Sequence, residues 1–359
     1  MTDAYASFME CPELQPIPNK DRISIVTIGG YDVIVRNDQF KKGDIGLFIA
    51  VDSILPQEMT DFYQLKLKRN RVKTMKLSGV YSQGLFLPID GYVREKLTRD
   101  GFMVYIQYAN VADDLGITKW KPEVRLSANG DKFTRQKNWP DPRIEYYDIE
   151  SIQRPDFANV FTHDDSVVVT EKIHGMNGTF TKIGDKIYVM SRRVCFERDR
   201  PAIMASEDIA NQTNAFYHIF DKYEIEKKMM ESGYENLVLR FELFGKGIQN
   251  LDYGLSGVDF RLFDISIELG KYVDFYQFCT IAEQLQLPIV PILTIGNFDR
   301  ESIYGLAERN SVIYPEQVSE GVVIRSIEEH PAPNIPRKIL KLVSKRFAVK
   351  DTEGEKLDE

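Results

Sequence analysis

The chain has 359 residues, of which 43% are hydrophobic and 28% charged, and its net charge is −8 with an isoelectric point near 5.3. This composition is that of an ordinary globular protein, and the length suggests two domains, because domains usually hold ~100–200 residues. The acidic balance argues against a protein that coats nucleic acid, since such binding depends on neutralising phosphates. The three cysteines are far apart and form no CxxC pair, which excludes a disulfide framework and a cysteine zinc site.

The N-terminal residues lack the pattern of a signal peptide, and no apolar run approaches the ~18–20 residues that span a bilayer. We therefore expect no membrane partner and a place inside the cell, in the cytoplasm or the nucleus.

The first third of the chain is rich in short strand patterns. The runs ISIVTI and YDVIV flank Gly29 and Gly30, which predicts two strands joined by a glycine turn. IGLFIAVDSILP and VYSQGLFLPI add apolar runs with turn signals between them. Strands at this spacing are typical of a small barrel, and we expect an OB-like barrel over residues 1–110.

The basic residues are unevenly distributed despite the acidic balance. One short stretch, which we name the basic stretch, contains Lys66, Lys68, Arg69, Arg71, Lys73 and Lys76. Tyr81 and Phe86 follow it, and OB modules that bind nucleic acid combine cationic grooves with aromatic faces. A second group contains Arg192, Arg193, Arg198 and Arg200. Either group is a candidate nucleic-acid contact, and a merely solvated surface remains the alternative.

The rest of the chain predicts a linker and one larger domain. Residues 111–144 are polar with weak periodicity, which predicts a linker or mobile loop, and residues 351–359 form a polar tail. Residues 145–350 form the second domain, starting with a predicted short helix near 147–153. SVVVTEKIHG predicts a strand, and GTFTKIGDKIYVMSRR predicts the hairpin that follows. Helices are predicted within 203–232 and from Phe275 to Leu285, among the further strands NLVLRFELFG, DFRLFDISI, GVVIR and KILKLVS.

Lys172 is the candidate nucleophile, because it ends an apolar strand in the run EKIHGMNG. Transfer of a nucleotide to an amine needs a neutral lysine beside the α-phosphate and groups that absorb charge in the transition state. Gly175 lets the backbone turn closely around a bound nucleotide. A lone Lys-x-x-Gly has little specificity, since it arises by chance in most chains of this size.

Five further motifs follow Lys172 in a fixed order. They are SRR with Arg192, RFELFG with Glu242, FRLFDI with Phe263 and Asp264, EGVVIR with Glu320, and KILKLVS with Lys341. This series resembles the signature of the covalent nucleotidyltransferases, the superfamily of ATP-dependent ligases and GTP-dependent capping enzymes. Within it, His174 of KIHG and Asn177 resemble the RNA ligases, and an OB-like module at the N-terminus resembles the fifth RNA-ligase family.

The resemblance implies an α+β chain: an N-terminal OB-like β-barrel followed by a nucleotidyltransferase (adenylyltransferase) domain of antiparallel sheets flanked by helices. It implies ATP and Mg²⁺ or Mn²⁺ as cofactors. Lys172, Arg192, Glu242, Glu320 and Lys341 would be catalytic. The same five would contact the nucleotide, and Glu242 and Glu320 would hold the metal through water.

Six more residues would contact the nucleotide or its surroundings. Phe263 would stack on adenine, Glu171 would accept a hydrogen bond from the adenine amino group, and Asp264 would orient local structure or a metal-bound water. His174, Gly175 and Asn177 would surround the phosphates.

One position departs from the family pattern. Many members have two lysines separated by one residue in the last strand, so that both point to one face. Here Ile339 and Val343 flank Lys341 at those alternating positions, and whether Lys338 or Lys345 replaces the second lysine stays open.

The resemblance implies a monomeric ligase whose partner is RNA, as a nicked duplex, a broken strand or an RNA/DNA hybrid. It would join a 3′-hydroxyl to a 5′-phosphate through a lysyl-AMP and an adenylylated 5′ end, with strand contacts on the basic stretch and Arg193. The alternatives are a GTP-dependent guanylyltransferase of the mRNA-capping type, a DNA ligase, and a non-catalytic RNA-binding protein.

Overall fold

The computed structural model describes residues 4–77, 79–99, 102–103, 109–120, 139–144, 147–192, 194–196 and 207–354. The chain divides into two compact units. Unit 1 comprises Met1–Pro122, Ser151–Val160 and Ala348–Glu359, and unit 2 comprises Glu123–Glu150 and Phe161–Phe347. This division assigns Ser151–Val160 to unit 1, although the sequence placed it in the second domain. Residues 121–138 of the predicted linker lie outside the described residues.

Unit 1 is built from short strands. They are β1 (Ala6–Glu10), β2 (Gln15–Ile17), β3 (Lys20–Ile28), β4 (Tyr31–Arg36), β5 (Ile45–Ile49), β6 (Ser53–Ile54), β7 (Thr74–Leu77), β8 (Val80–Gln83), β9 (Leu85–Pro88), β10 (Thr98–Arg99), β11 (Phe102–Met103) and β12 (Thr118–Lys119), with the helices α1 (Gln57–Phe62) and α2 (Gly91–Leu97). Strands β1, β5 and β9 form one antiparallel sheet, and β2, β3 and β4 form another.

Strand β5 is buried on both faces. Its side chains alternate, so that Leu47 and Ile49 pack in one apolar cluster with Phe8, whereas Phe48 packs in a second cluster with Tyr31. A strand has a side-chain period of two, and the continuous apolar run of β5 therefore reflects burial from both sides.

The hairpin of β3 and β4 confirms the turn predicted at Gly29 and Gly30, because Ile28 pairs with Tyr31 across it. Gly29 has φ +61°, and a Cβ atom there would lie 2.9 Å from the carbonyl oxygen of Gln153. Gln153 accepts a hydrogen bond from the Gly30 N–H and donates one to the Gly30 carbonyl. These contacts explain why Ser151–Val160 belongs to unit 1.

The remaining elements follow in chain order. They are β13 (Glu150–Ser151), β14 (Ser166–Lys172), β15 (Met176–Ile183), β16 (Lys186–Ser191), β17 (Cys195–Phe196), α3 (Glu207–Lys222), α4 (Ile225–Glu231), β18 (Asn236–Gly245), β19 (Val258–Glu268), β20 (Lys271–Tyr272), α5 (Phe275–Gln284), β21 (Ile292–Asn297), α6 (Arg300–Ala307), β22 (Gly321–Ser326), β23 (Ile339–Val343) and α7 (Lys345–Gly354).

Unit 2 contains two antiparallel sheets. One has six strands in the order β17-β16-β15-β18-β19-β20, and in the other β23, β22, β14 and β21 are neighbours in that order. Helices α3, α4 and α5 pack on the first sheet through a core that includes Phe216 and Phe278 with Phe180, Phe241 and Phe260. The rings of Phe180 and Phe241 stack with their centroids 4.3 Å apart. The strands predicted for this domain and its helices predicted within 203–232 and from Phe275 are confirmed.

The helix predicted near residues 147–153 is wrong. Residues 147–149 have no regular structure, and Glu150–Ser151 is a strand. The Tyr147 side chain donates a hydrogen bond to Asp264, 117 residues away, so a tertiary contact overrides the local preference. No helix of the described residues is long and apolar enough to cross a membrane.

Candidate active site

The candidate site lies where the chain passes from one sheet of unit 2 to the other. Strand β14 ends at Lys172, and β15 begins at Met176 in the six-stranded sheet. Gly175 lies in this connection, where a Cβ atom would be 2.1 Å from the carbonyl oxygen of Leu243. A side chain at this position would therefore force the Lys172 loop away from β18.

Lys172 forms an ion pair with Glu320. Its Nζ donates to Oε1 of Glu320 at 2.7 Å, and Gly321 pairs with Lys172 in the register of β14 and β22. Burial alone would lower the pKa of Lys172, but the carboxylates of Glu320 and Glu242 outweigh it and raise that pKa. For Glu320 the directions are reversed: burial would raise its pKa, but Lys172 and His174 lower that pKa to about 2. Lys172 is therefore a charged amine in this state.

Glu242 is the third titratable side chain of the cluster around Lys172. It lies on β18 opposite Asn177 of β15, and burial together with the charge of Glu320 raises the pKa of Glu242 to about 8. Oδ1 of Asn177 is buried and has no hydrogen-bond partner in the described part of the chain. The cluster thus places Glu320 as a carboxylate and Glu242 as a largely protonated carboxyl near neutral pH around Lys172.

His174 is held from several sides. Its backbone N–H donates to the Tyr253 hydroxyl at 2.7 Å, and its Nε2 lies 2.8 Å from Oδ1 of Asn250. Nδ1 of His174 lies 3.6 Å from Oε2 of Glu320, and the ring packs on Phe347 with centroids 4.9 Å apart. These contacts fix the backbone that follows Lys172.

Arg192 and Lys341 converge on one carboxylate. The Arg192 guanidinium contacts Oδ2 of Asp148 at 2.7 Å, and Nζ of Lys341 lies 3.6 Å from Oδ1. The Arg192 backbone N–H also donates to the carbonyl of Asn177, which places Arg192 at the end of the hairpin that follows Lys172. Burial opposes the charge of Asp148, but Lys341 and Arg192 together lower its pKa.

Glu171 points to the face of β14 opposite Lys172, as strand alternation requires. It is buried, Oε2 accepts a hydrogen bond from the Val312 N–H at 2.7 Å, and burial raises its pKa. Oε1 is also buried, without a hydrogen-bond partner among the residues described. The carboxylate therefore fixes the loop at Val312, where the neighbouring Ser311 side chain also bonds to it.

The motif of Phe263 and Asp264 divides between two environments. Phe263 is half-buried at the edge of the apolar cluster that contains Ile173 and Tyr253, and its ring lies 5.0 Å from that of Tyr147. Asp264 is fully buried, where Arg325, Arg337 and the Tyr147 hydroxyl contact its oxygens. Of the two roles that the resemblance implies for Asp264, this geometry supports the orientation of local structure.

The side chain of Lys338 and the backbone of Lys345 each have partners other than Lys341. Nζ of Lys338 contacts Asp165 at 2.5 Å. Lys338 is three residues before Lys341, so strand alternation directs its side chain away from the Lys341 side chain. Lys345 begins α7, where its backbone N–H donates to Glu308. Val343 packs against the apolar cluster that contains Ile173 and Tyr253, and an apolar contact thus takes the place of the second lysine of the family pattern.

The basic stretch in unit 1 does not present all of its side chains to solvent. Lys66, Lys68, Arg69 and Lys76 are exposed, and Lys73 is half-buried. Arg71 is buried, pairs with Asp52 at 2.7 Å and stacks on Trp120 with its guanidinium carbon 3.3 Å from the ring centroid. Arg71 therefore stabilises unit 1 and is not placed to bind a strand. Arg193 lies outside the described residues.

A divalent cation would find two carboxylates at this site. Among the described residues, no three His, Cys, Asp or Glu side chains gather as a ready-made metal site. Glu242 and Glu320 nevertheless supply the hard oxygen ligands that Mg²⁺ and Mn²⁺ prefer, and Mg²⁺ usually keeps several waters beside one or two carboxylates. The residues fit a hydrated divalent cation.

The sequence did not reveal Tyr147, Asp148, Asn250, Tyr253 and Phe347. Each reaches the site from a loop or from the start of a helix, where no hydrophobic period distinguishes it. The hydrophobic and charge patterns therefore contain no signal for them.

Comparison with known protein families gives two matches. The model of the family described as RNA ligase matches residues 165–343, and that of an OB-fold domain matches residues 5–89. No curated protein matches the sequence.

Solved structures of an RNA ligase from Naegleria gruberi match nearly the whole chain. A mutant with AMP and manganese is 24% identical, with 97% of this chain and 99% of that chain covered and a TM-score of 0.74. A lysine-to-alanine mutant with ATP and manganese has the same identity and coverage and a TM-score of 0.75. The ligase with pyrophosphate also matches, at 24% identity, the same coverage and a TM-score of 0.74. The predicted OB-like barrel and nucleotidyltransferase domain are confirmed as the fold.

Proposed function

Because the chain belongs to the RNA ligase family through residues 165–343, we propose that it seals 3′-hydroxyl/5′-phosphate breaks in RNA through a lysyl-AMP at Lys172. The preferred substrate is a nick in duplex RNA. The observation that carries the proposal is the ion pair of Lys172 with Glu320, beside Glu242 and at the end of a strand. The amine of Lys172 is thus held in place by an ion pair, and the carboxyl groups of Glu320 and Glu242 control its protonation.

In the first step, the Lys172 amine attacks the α-phosphorus of ATP. One proton passes from the ammonium to solvent before the attack, a second follows as the P–N bond forms, and the bond to pyrophosphate breaks. Lys172 is charged before ATP binds, because Glu320 and Glu242 raise its pKa. A divalent cation held by Glu242 and Glu320 would supply positive charge that neutralises the phosphates and favours the neutral amine. Relatives of the same fold bind ATP or AMP with manganese.

In the second step, an oxygen of the RNA 5′-phosphate attacks the lysyl-AMP phosphorus, the P–N bond breaks, and Lys172 takes up two protons from solvent to become an ammonium again. In the third, the 3′-hydroxyl attacks the 5′-phosphorus, a phosphodiester forms, and AMP leaves. Arg192 and Lys341 would hold phosphate oxygens of ATP in the first step, because a guanidinium and an ammonium strengthen binding to charged oxygens. Catalysis here depends on positioning and on charge stabilisation.

Base choice would depend on Glu171 and Phe263. Glu171 is a buried carboxylate that already receives hydrogen bonds from Val312 and Ser311, and the adenine amino group would be a further donor that guanine does not present at that position. Phe263 would offer its ring for stacking. This pairing favours ATP over GTP.

The proposal is tested by incubation with α-labelled ATP or GTP and magnesium or manganese, followed by denaturing electrophoresis and by sealing of a nicked RNA duplex. We expect label from ATP alone, a labelled peptide that contains Lys172, and sealed RNA. Label from GTP would instead indicate a capping-type guanylyltransferase. Sealing of nicked DNA alone would indicate a DNA ligase, and no label with either nucleotide would leave a non-catalytic RNA-binding protein.

The exposed lysines of the basic stretch are proposed to contact the RNA backbone. The variant Lys66→Ala/Lys68→Ala/Lys76→Ala is expected to weaken RNA binding equally for all sequences. The slope of log K against log salt should become less steep by ~0.7–0.9 for each phosphate that the variant no longer neutralises. Filter binding at several salt concentrations measures this. Lys20→Ala/Lys41→Ala is the matched control in unit 1, and an equal weakening in both variants would contradict the placement.

A further inference from the structure

Asp148 bridges the two cations that the proposed function assigns to phosphate. Its Oδ2 contacts the Arg192 guanidinium at 2.7 Å, and its Oδ1 lies 3.6 Å from Nζ of Lys341. One oxygen for each cation is the arrangement that a phosphate group also offers, because both anions spread charge over oxygens about the same distance apart. The carboxylate thus occupies the position of a phosphate ligand.

The position of Asp148 is fixed by its neighbour Tyr147 and by a local hydrogen bond, which the Ile149 N–H donates to Oδ1 at 3.0 Å. Tyr147 donates to the buried Asp264 at 2.9 Å and packs on Phe263, which anchors the segment on β19. The Asp148 side chain itself remains 58% exposed. An exposed carboxylate on an anchored segment can move away from its partners without disturbing the core.

Asp148 and a phosphate cannot use both cations at once. Two anions at the same pair of cations repel each other, so a bound triphosphate requires the carboxylate to leave. We propose that Asp148 is a built-in competitor for the phosphate subsite of Arg192 and Lys341, displaced by the polyphosphate of ATP and returning when pyrophosphate leaves. The identity of this ligand rests on the proposed function, whereas the competition rests on the geometry of the three side chains.

Competition of this kind lowers the apparent affinity for polyphosphate. The site binds ligand only in the fraction of molecules in which Asp148 has moved away, and the measured Kd rises by the inverse of that fraction. It also assists the release of pyrophosphate, because the returning carboxylate replaces the leaving anion. The reverse reaction, attack of pyrophosphate on lysyl-AMP, is thereby disfavoured.

The test measures binding of inorganic tripolyphosphate by calorimetry. All proteins carry Lys172→Ala, so that none is purified with AMP attached. Adding Asp148→Asn is expected to tighten binding roughly three- to tenfold, the range for the removal of an exposed ion pair and of its repulsion. Asp141→Asn is the matched control, because Asp141 lies in the same segment and also pairs with an arginine, Arg143. It should leave the Kd unchanged.

A double-mutant cycle separates competition at the cations from the general effect of removing a negative charge. If Asp148 competes for Arg192, the gain from Asp148→Asn shrinks when Arg192→Gln is present, because coupled residues are not additive. Unchanged or weaker binding in Asp148→Asn, or a gain that adds fully to Arg192→Gln, would overturn the inference. Because tripolyphosphate has no base and no RNA, this result is independent of labelling by ATP, on which the proposed function depends.

Discussion

Lys172→Ala is expected to reduce covalent labelling by α-labelled ATP at least ~10³-fold, to the background of the assay. The P–N bond needs the Lys172 amine, which lies 2.7 Å from Glu320 and within the field of Glu242. Lys172→Arg should be equally inactive, because it keeps the charge next to Glu320 but provides no neutral amine near pH 7. Lys186→Ala, an exposed lysine at the start of β16, is the matched control and should label as the wild type does.

Loss of folding is distinguished from loss of the nucleophile by a substrate that bypasses the first two steps. RNA that already has an adenylylated 5′ end needs only the attack of the 3′-hydroxyl, so Lys172→Ala should still seal it.

The wild-type labelling rate should also rise with pH, because the carboxylates raise the pKa of Lys172 and only the neutral amine attacks. Residual labelling of Lys172→Ala on another lysine would refute the assignment.

The motifs proposed to be catalytic were predictable in structure because each combines a strand pattern with a chemically constrained residue. Lys172 ends a β-branched run, and Gly175 and Gly321 occupy positions where a Cβ atom would lie about 2 Å from a backbone oxygen. The β-branched run and the glycine that follows it can both be recognised in the local sequence. The helix from Phe275 was predictable for the same reason, since its buried residues follow one face.

Other features depended on tertiary contacts that no local pattern contains. The segment from Tyr147 appeared helical by composition, but Tyr147 bonds to Asp264 and Asp148 bridges Arg192 and Lys341. Arg71 stood among exposed basic residues in sequence, yet it stacks on Trp120, 49 positions further along the chain. A side chain's partners across the fold determine its role, and sequence spacing specifies these only where an element has a strict period.

Asp264→Ala is expected to lower the free energy of unfolding by about 3–5 kcal/mol, the range for breaking a buried ion pair from one side. Asp264 is fully buried and contacts Arg325 and Arg337 at 3.2 and 2.7 Å, and its removal leaves Glu329 as the remaining carboxylate beside the two arginines. Thermal unfolding followed by circular dichroism should show a Tm lower by roughly 10 °C. Asp185→Ala, in the exposed turn between β15 and β16, should change stability by less than ~0.5 kcal/mol.

The pH dependence of this effect follows from the two arginines. Burial opposes the charge of Asp264, but Arg337 and Arg325 outweigh it and lower its pKa below the ordinary value. A depressed pKa in the folded state contributes stability that is complete above the unfolded value of ~3.9 and is lost as the pH falls towards the folded value. The stability difference between wild type and Asp264→Ala should therefore be constant from about pH 5 to 8 and shrink below about pH 4. A difference that vanished already near neutral pH would show that Asp264 is not the charged partner of these arginines.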